Sequence, residues 1–83
     1  MAPAVDIGNI LYNLRYLVKM DYDANNNLIF LGDAIPGSVT SAAVWRIRKM
    51  TYDANNNITD IEWADGNSEF DNAWDDRTTL SYS

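Results

Sequence analysis

The sequence predicts a mainly β protein with a short N-terminal helix, in which two duplicated β-hairpins form a small antiparallel sheet or sandwich. The first observation is an internal repeat: residues 19–28 (KMDYDANNNL) return 30 positions later as residues 49–58 (KMTYDANNNI). The second is that β-branched and aromatic residues flank the turn-forming Asp-Ala-Asn-Asn-Asn of each copy. The third is length, since 83 residues suit one small domain over 1–83.

The elements follow in chain order. We expect a helix over 6–15, the first hairpin over 16–34, the second hairpin over 44–66, and an acidic turn plus a C-terminal strand over 67–83. Asp65-Gly66-Asn67 predicts a turn, and Phe70 and Trp74, four residues apart, predict a single helical turn.

The N-terminal segment has apolar residues at helical spacing behind Asp6, a good N-cap. These residues are Ile7, Ile10, Leu11, Leu14, Leu17 and Val18. They predict a short helix lying on the sheet. Ile7, Ile10, Leu14 and Leu17 also fit two heptads of a and d positions, which would instead seed a coiled-coil trimer.

The second hairpin can be given a register by placing Tyr52 opposite Ile58. The pairs that follow are Lys49 with Ile61, Arg48 with Glu62 and Ile47 with Trp63. Because side chains alternate between faces, this register predicts an apolar face and a charged face. The apolar face holds Trp45, Ile47, Ile61 and Trp63, and the charged face holds Arg46, Arg48, Asp60 and Glu62.

The same register makes the first hairpin apolar on both faces. One face is predicted to hold Val18, Met20, Tyr22, Leu28 and Phe30, and the other to hold Leu17, Ile29 and Leu31 beside Lys19 and Asp21. Since a small chain has little cover to offer, we expect the surplus apolar face to contact a neighbouring subunit. The predicted interface residues are Ile7, Ile10, Leu14, Leu17, Ile29, Leu31, Leu80 and Tyr82.

Composition narrows the functional classes. The chain has no cysteine and no histidine, so disulfides, thiolate metal sites and imidazole acid–base catalysis are excluded, and oligomerisation is the means of stabilisation left. Six basic residues against 12 acidic ones give a net charge of −6, which argues against nucleic-acid binding. Neither an apolar run of about 18 residues nor a signal-peptide pattern is present, so we expect no membrane partner and synthesis in a cytoplasm.

One constellation is a weak calcium candidate. Asp21, Asp23, Asn25 and Asn27 place oxygen ligands at positions 1, 3, 5 and 7, as in an EF-hand-like loop. The pattern departs from that loop at Asn26 and Gly32, where glycine and a bidentate glutamate are expected. Because the second copy keeps the turn but has Thr51 in place of the first aspartate, we expect no cofactor to be required.

Other candidate chemistry is weaker. The acid pairs Asp75-Asp76 and Glu62 with Asp65 carry little information in an acidic chain, so we expect no enzyme. An alternative function is a small β-type module that binds a host surface glycan through exposed aromatics, namely Trp45, Trp63 and Trp74. Tryptophans are more often buried in a core or an interface.

Two resemblances follow from these residues. The Tyr-Asp-Ala-Asn-Asn-Asn turn resembles locally the YD repeat of large bacterial shell-forming proteins, although those have many copies and a glycine in the turn. Nearly the whole chain resembles small proteins of tailed bacteriophages. The shared segments are Tyr16-Leu17-Val18, Leu31-Gly32-Asp33-Ala34-Ile35-Pro36-Gly37, Trp45-Arg46-Ile47-Arg48-Lys49, Trp63-Ala64-Asp65-Gly66, Phe70-Asp71-Asn72-Ala73-Trp74-Asp75-Asp76-Arg77 and Leu80-Ser81-Tyr82-Ser83.

The phage resemblance implies a virion structural protein, of head decoration, neck or fibre type, made in the host bacterial cytoplasm. Its expected partners are further copies of itself, with a trimer slightly favoured, and other virion structural proteins. The resemblance supplies no catalytic or binding residues.

Overall fold

A computed structural model describes residues 15–83 of the chain. All of the predicted helix over 6–15 except its last residue, including the interface residues Ile7, Ile10 and Leu14, therefore lies outside the described residues. The elements are β1 (Leu17–Tyr22), β2 (Leu28–Ala34), β3 (Ala43–Tyr52), β4 (Ile58–Trp63), β5 (Asn72–Ala73) and a 3₁₀ helix (Trp74–Asp76).

The strands form one antiparallel sheet in the order β1-β2-β3-β4, with the short β5 paired to β3. Each of β1 to β4 therefore pairs with its neighbour in sequence, and the two repeats form the two hairpins. The prediction of a small antiparallel sheet built from duplicated hairpins is confirmed. No α-helix occurs between residues 15 and 83.

The two repeated turns have the same structure. In the first, the Asp23 carboxylate accepts hydrogen bonds from the backbone N–H groups of Asn25 and Asn27 at 2.8 and 2.9 Å. Asn26 has a φ of 63°, a left-handed conformation that asparagine tolerates better than most residues. Asparagine therefore takes the position that glycine usually occupies in such turns.

The second turn repeats these contacts at Asp53. Its carboxylate accepts the N–H groups of Asn55 and Asn57 at 2.8 and 3.0 Å, and Asn56 has a φ of 65°. The N–H groups of Asn57 and then Asn55 hold the pKa of Asp53 below its ordinary value of 3.8, because they stabilise the ionised carboxylate.

A β-bulge follows each turn and changes the register that we predicted. Tyr52 does pair with Ile58, but the next pair is Thr51 with Asp60, so Thr59 lies between two successive pairs. The predicted pairs beyond this point are wrong by one residue, because the extra residue of a bulge shifts the rest of the ladder. The observed pairs are Met50 with Ile61, Lys49 with Glu62 and Arg48 with Trp63.

The first hairpin has the same bulge at Ile29, since Tyr22 pairs with Leu28 but Asp21 pairs with Phe30. Phe30 therefore lies on the opposite face from Val18 and Met20, and the predicted grouping of these residues was wrong. Across all four strands the register defines two faces. The core face holds Leu17, Lys19, Asp21, Phe30, Gly32, Ala34, Trp45, Ile47, Lys49 and Glu62. The open face holds Val18, Met20, Leu31, Asp33, Arg46, Arg48, Met50, Ile61 and Trp63.

The C-terminal segment covers the core face. Trp45 and Ile47 are fully buried there, and Trp74 packs against them from the 3₁₀ helix, with its ring centroid 6.0 Å from that of Trp45. A Cβ atom at Gly32 would lie 2.6 Å from the Trp74 ring. The absence of a side chain at this strand position is therefore what lets the indole reach the sheet.

Polar contacts fix this segment in place. Arg77 donates from Nε to the Asp21 carboxylate on β1 at 3.0 Å and stacks on Trp74. The Tyr82 hydroxyl donates to the Arg77 carbonyl at 2.7 Å, and burial raises the pKa of Tyr82 to about 12. The C-terminal segment is therefore held both to β1 and to itself.

Two predictions for the C-terminal region need correction, and one is confirmed. Phe70 lies in a bend and only Trp74 begins a 3₁₀ helix, so the two do not share a helical turn. The predicted terminal strand is reduced to a bridge between Ala64 and Tyr82, because residues 77–79 form a turn in which the Thr79 N–H bonds to the Asp76 carbonyl. The predicted turn at Asp65-Gly66 is present, and both residues have positive φ angles.

We expect Gly32→Ala to destabilise the fold by about 1–3 kcal/mol, because its Cβ atom must displace the Trp74 indole in a packed core. Urea unfolding followed by tryptophan fluorescence measures the change. Ala43→Val is the control, since it adds methyl groups at an exposed position of β3 and should change stability by less than about 0.5 kcal/mol. Equal stability of Gly32→Ala and the native chain would contradict the packing of Trp74 on Gly32.

Candidate functional site

An apolar patch occupies the half of the open face nearer the turns. Met20 pairs with Leu31, and Met50 pairs with Ile61, so four apolar side chains lie across four neighbouring strands. Met50 is buried, whereas Met20 is 52% exposed and Ile61 is 57% exposed. Val18 on β1 extends the patch and is 42% exposed. We call Val18, Met20, Leu31, Met50 and Ile61 the open patch.

The other half of the open face holds an ion cluster around Asp33. This aspartate is only 5% exposed, and its Oδ2 atom accepts hydrogen bonds from Arg46 Nε and Arg48 Nη2, both at 2.9 Å. Two cations around one buried carboxylate neutralise it, which is how buried charges are tolerated. The Nε atom of Arg48 is buried and has no hydrogen-bond partner within residues 15–83.

Aromatic rings enclose the two arginines. The Arg48 guanidinium lies 4.9 Å from the Trp63 ring centroid, and the Arg46 guanidinium lies 4.7 Å from that of Phe70 and 5.2 Å from that of Tyr16. Cation–π contacts of this kind hold the planar guanidinium groups in one orientation. The cluster thus joins β2, β3 and β4 with the residue before β1 and the segment before β5, and we interpret it as a second, polar core.

The predicted cross-strand pair of Arg48 with Glu62 was wrong, and Arg48 belongs instead to the ion cluster. Arg48 lies opposite Trp63 in the observed register, and its partner Asp33 comes from β2. The alternation Arg46-x-Arg48 does place both arginines on one face, so the sequence predicted that they lie side by side. The aspartate was missed because its partners lie across the β2–β3 junction, which local turn patterns do not specify.

The described residues of the predicted interface lie in different places. Leu31 is half-buried in the open patch. Leu17, Ile29, Leu80 and Tyr82 pack against the core of their own chain, with the Tyr82 ring centroid 5.8 Å from that of Phe30. The structure therefore brings Leu31 together with Val18, Met20 and Ile61, three residues that we did not predict as interface.

The residues of the calcium candidate have other hydrogen-bond partners. Asp21 binds Arg77, Asp23 accepts two backbone N–H groups of its own turn, and the Asn27 amide donates to Asn56 of the second turn at 3.0 Å. Within residues 15–83 no three acidic side chains are grouped as a metal site would require. Asp23 therefore holds its own turn, whereas Asp21 and Asn27 join the first hairpin to the C-terminal segment and to the second turn.

The three tryptophans of the glycan alternative do not form one surface. Trp45 and Trp74 are buried in the core, and Trp63 lies half-buried beside the arginines on the other face. The described part of the chain encloses no pocket. It also contains no helix long and apolar enough to cross a membrane.

We expect Asp33→Asn to destabilise the fold by about 2–3 kcal/mol, because it leaves two partly buried arginines without their counter-charge. Asp75→Asn is the matched control: Asp75 is exposed and its carboxylate makes no hydrogen bond or ion pair within residues 15–83, so its loss should be nearly neutral. Thermal unfolding by circular dichroism compares the two. If both variants melted together, the ion cluster would not stabilise the sheet.

Comparison with known proteins gives no match: no protein-family model, no curated protein and no solved structure is similar to this chain at a significant level.

Proposed function

We propose that this chain is a structural component of a tailed-phage virion, of head decoration, neck or fibre type. It acts through homo-oligomerisation and through docking on other virion proteins. The family part of this proposal rests on the sequence resemblance to small phage proteins. The assembly part rests chiefly on one observation, which is the open patch.

The core is small, so the fold would gain stability if more apolar surface were buried by a partner. Seven apolar residues are buried within the described part of the chain, and two of them are alanines. A domain of this size is close to the limit at which one core suffices. Each square ångström of apolar surface removed from water contributes about 25 cal/mol, so covering the open patch would add stability that the core face alone does not supply.

The chemistry of the open patch favours a protein partner. Its five members are all uncharged. The chain that carries them has a net charge of −6, so it is unsuited to binding a polyanion. Three of them are more than one-third exposed on a single sheet face, and contiguous exposed apolar surface is typical of interaction sites. A second copy of the chain presents the same surface.

The N-terminal segment belongs to this proposal as well. Its heptad-spaced Ile7, Ile10 and Leu14 would form a short helix ahead of β1, which begins at Leu17, and three such helices would set a trimer. In this arrangement the open patch and the N-terminal helix each contribute to one homo-oligomer, and neither is used for catalysis.

We expect the double variant Met20→Asp, Ile61→Asp to dissociate the homo-oligomer. Both side chains are more than half exposed, so the fold should persist. Two carboxylates buried in an apolar contact should weaken self-association by at least about a hundredfold. Sedimentation equilibrium of the full chain measures this effect.

The control is Val39→Asp, which places the same charge on a valine that is 62% exposed in the loop between β2 and β3. It should associate like the native chain. A native chain that is monomeric at every concentration, or a double variant that associates unchanged, would contradict the proposed assembly.

A further inference from the structure

We propose that copies of this chain join edge to edge, with β4 of one copy pairing antiparallel to β1 of the next. The register is the one that β2 and β3 already use within the chain. This inference rests on the proposed self-association and places one contact at the outer edges of the sheet, on the strands that carry Val18 and Ile61 of the open patch.

The internal repeat supplies the template. Since residues 19–28 and 49–58 are equivalent, β1 corresponds to β3 and β2 corresponds to β4. The β2–β3 junction is therefore the contact between two copies of one hairpin, made inside the chain. Its pairs include Phe30 with Lys49, Leu31 with Arg48 and Gly32 with Ile47. Adding 30 to each β2 residue gives its equivalent in β4, and subtracting 30 from each β3 residue gives its equivalent in β1. The same pairing can therefore form between β4 of one copy and β1 of another.

The transferred register brings compatible side chains together. Asp60 of one copy faces Lys19 of the next, which pairs opposite charges that are both exposed. Ile61 faces Val18, and these are 57% and 42% exposed. Ile61 and Val18 both belong to the open face, so the register also preserves which side of the sheet each residue occupies. Two open patches thus become one continuous apolar surface across the junction.

The hydrogen bonds that close the internal junction also have counterparts at the edges. Within the chain the Tyr52 hydroxyl donates to the Leu28 carbonyl at 2.7 Å. The equivalent contact between copies runs from the Tyr22 hydroxyl to the Ile58 carbonyl. Tyr22 is 53% exposed, and its hydroxyl makes only a long contact to the sulfur of Met20 at 3.5 Å. It is therefore able to exchange that weak contact for a stronger one.

The turns give a second counterpart. Asn27 Nδ2 donates to Asn56 Oδ1 at 3.0 Å, which holds the two turns of one chain side by side. One repeat further on, Asn57 Nδ2 of one copy would donate to Asn26 Oδ1 of the next. Within the chain Asn57 Nδ2 contacts only Asp53, at 3.4 Å. The same asparagine ladder would therefore continue from copy to copy.

The length of the new junction is set by the C-terminal residues. Ser83 pairs with Trp63 through both backbone groups, N–H and carbonyl, and so covers the outer edge of β4 at that residue. The outer side of Ile58–Glu62 and the outer side of β1 have no neighbouring strand within residues 15–83. Because β4 and β1 are different surfaces, the contact is heterologous and generates a ring or a filament, depending on the rotation between copies.

The register can be tested by disulfide cross-linking, because the native chain has no cysteine. Val18→Cys and ¹⁵N-labelled Ile61→Cys chains are mixed in equal amounts under mild oxidation, and dimers are identified by mass. Residues directly opposite in an antiparallel pair have the Cα separation that a disulfide requires. We expect the mixed dimer to exceed either homodimer roughly tenfold or more, since only the mixed pair meets in this register.

The matched control replaces Ile61→Cys by Val39→Cys, an exposed valine outside both edges, and should give only the background yield. If the chain self-associates but the Val18–Ile61 dimer stays at background, the edge register is wrong while the proposed assembly stands. If the native chain does not self-associate, both proposals are overturned.

A charge exchange tests the pair between Asp60 and Lys19. Lys19→Asp and Asp60→Lys each place like charges opposite each other and should weaken association roughly threefold to tenfold. The double variant restores an opposite-charge pair and should recover native affinity. Sedimentation equilibrium measures all three chains, and circular dichroism verifies that they fold. If the double variant lost as much association free energy as the two single variants together, the assigned contact would be overturned.

Discussion

The structure depends on the hydrogen bonds that one aspartate makes to its own turn. In each repeat the carboxylate of Asp23 or Asp53 accepts two backbone N–H groups, and an asparagine beside it adopts a left-handed conformation. These contacts fix a turn that is followed by a bulge. Because side chains alternate along a strand, one extra residue decides which face every later residue occupies.

The two bulges explain why one face of the sheet forms the core while the other is partly exposed. They place Phe30 beside Ile47 and Trp45, where the C-terminal segment supplies Trp74 and completes the core. They also place Met20, Leu31 and Ile61 together on the other face, next to the Asp33 ion cluster. The sheet therefore has one face covered by its own chain and one face whose apolar half is exposed.

Prediction from the sequence succeeded where structure is local. The duplicated hairpins, their closing pairs Tyr22–Leu28 and Tyr52–Ile58, and the turn at Asp65-Gly66 all follow from turn chemistry and strand propensity. The register beyond the closing pairs could not be predicted. A bulge at Ile29 or Thr59 leaves no sign in composition, because isoleucine and threonine are both ordinary strand residues.

The candidate site was predictable only in part, for a related reason. Leu31 lies on the open face, whereas Leu17, Ile29, Leu80 and Tyr82 contact the core because the C-terminal segment folds over that face. The ion cluster depends on the β2–β3 junction, which pairs residues from different hairpins. Gly32 is a similar case, since its importance comes from Trp74, more than 40 residues away in the sequence.

Backbone hydrogen exchange measured at increasing protein concentration tests the assembly most directly. Amide protons on the outer edges, in Val18–Met20 of β1 and Ile58–Glu62 of β4, should become more protected as copies associate. Amide protons of β2 and β3 are already paired within the chain, so their exchange should slow by less than that of the edge amide protons. Edge amide protons whose exchange rates stay constant over the whole concentration range would contradict the account.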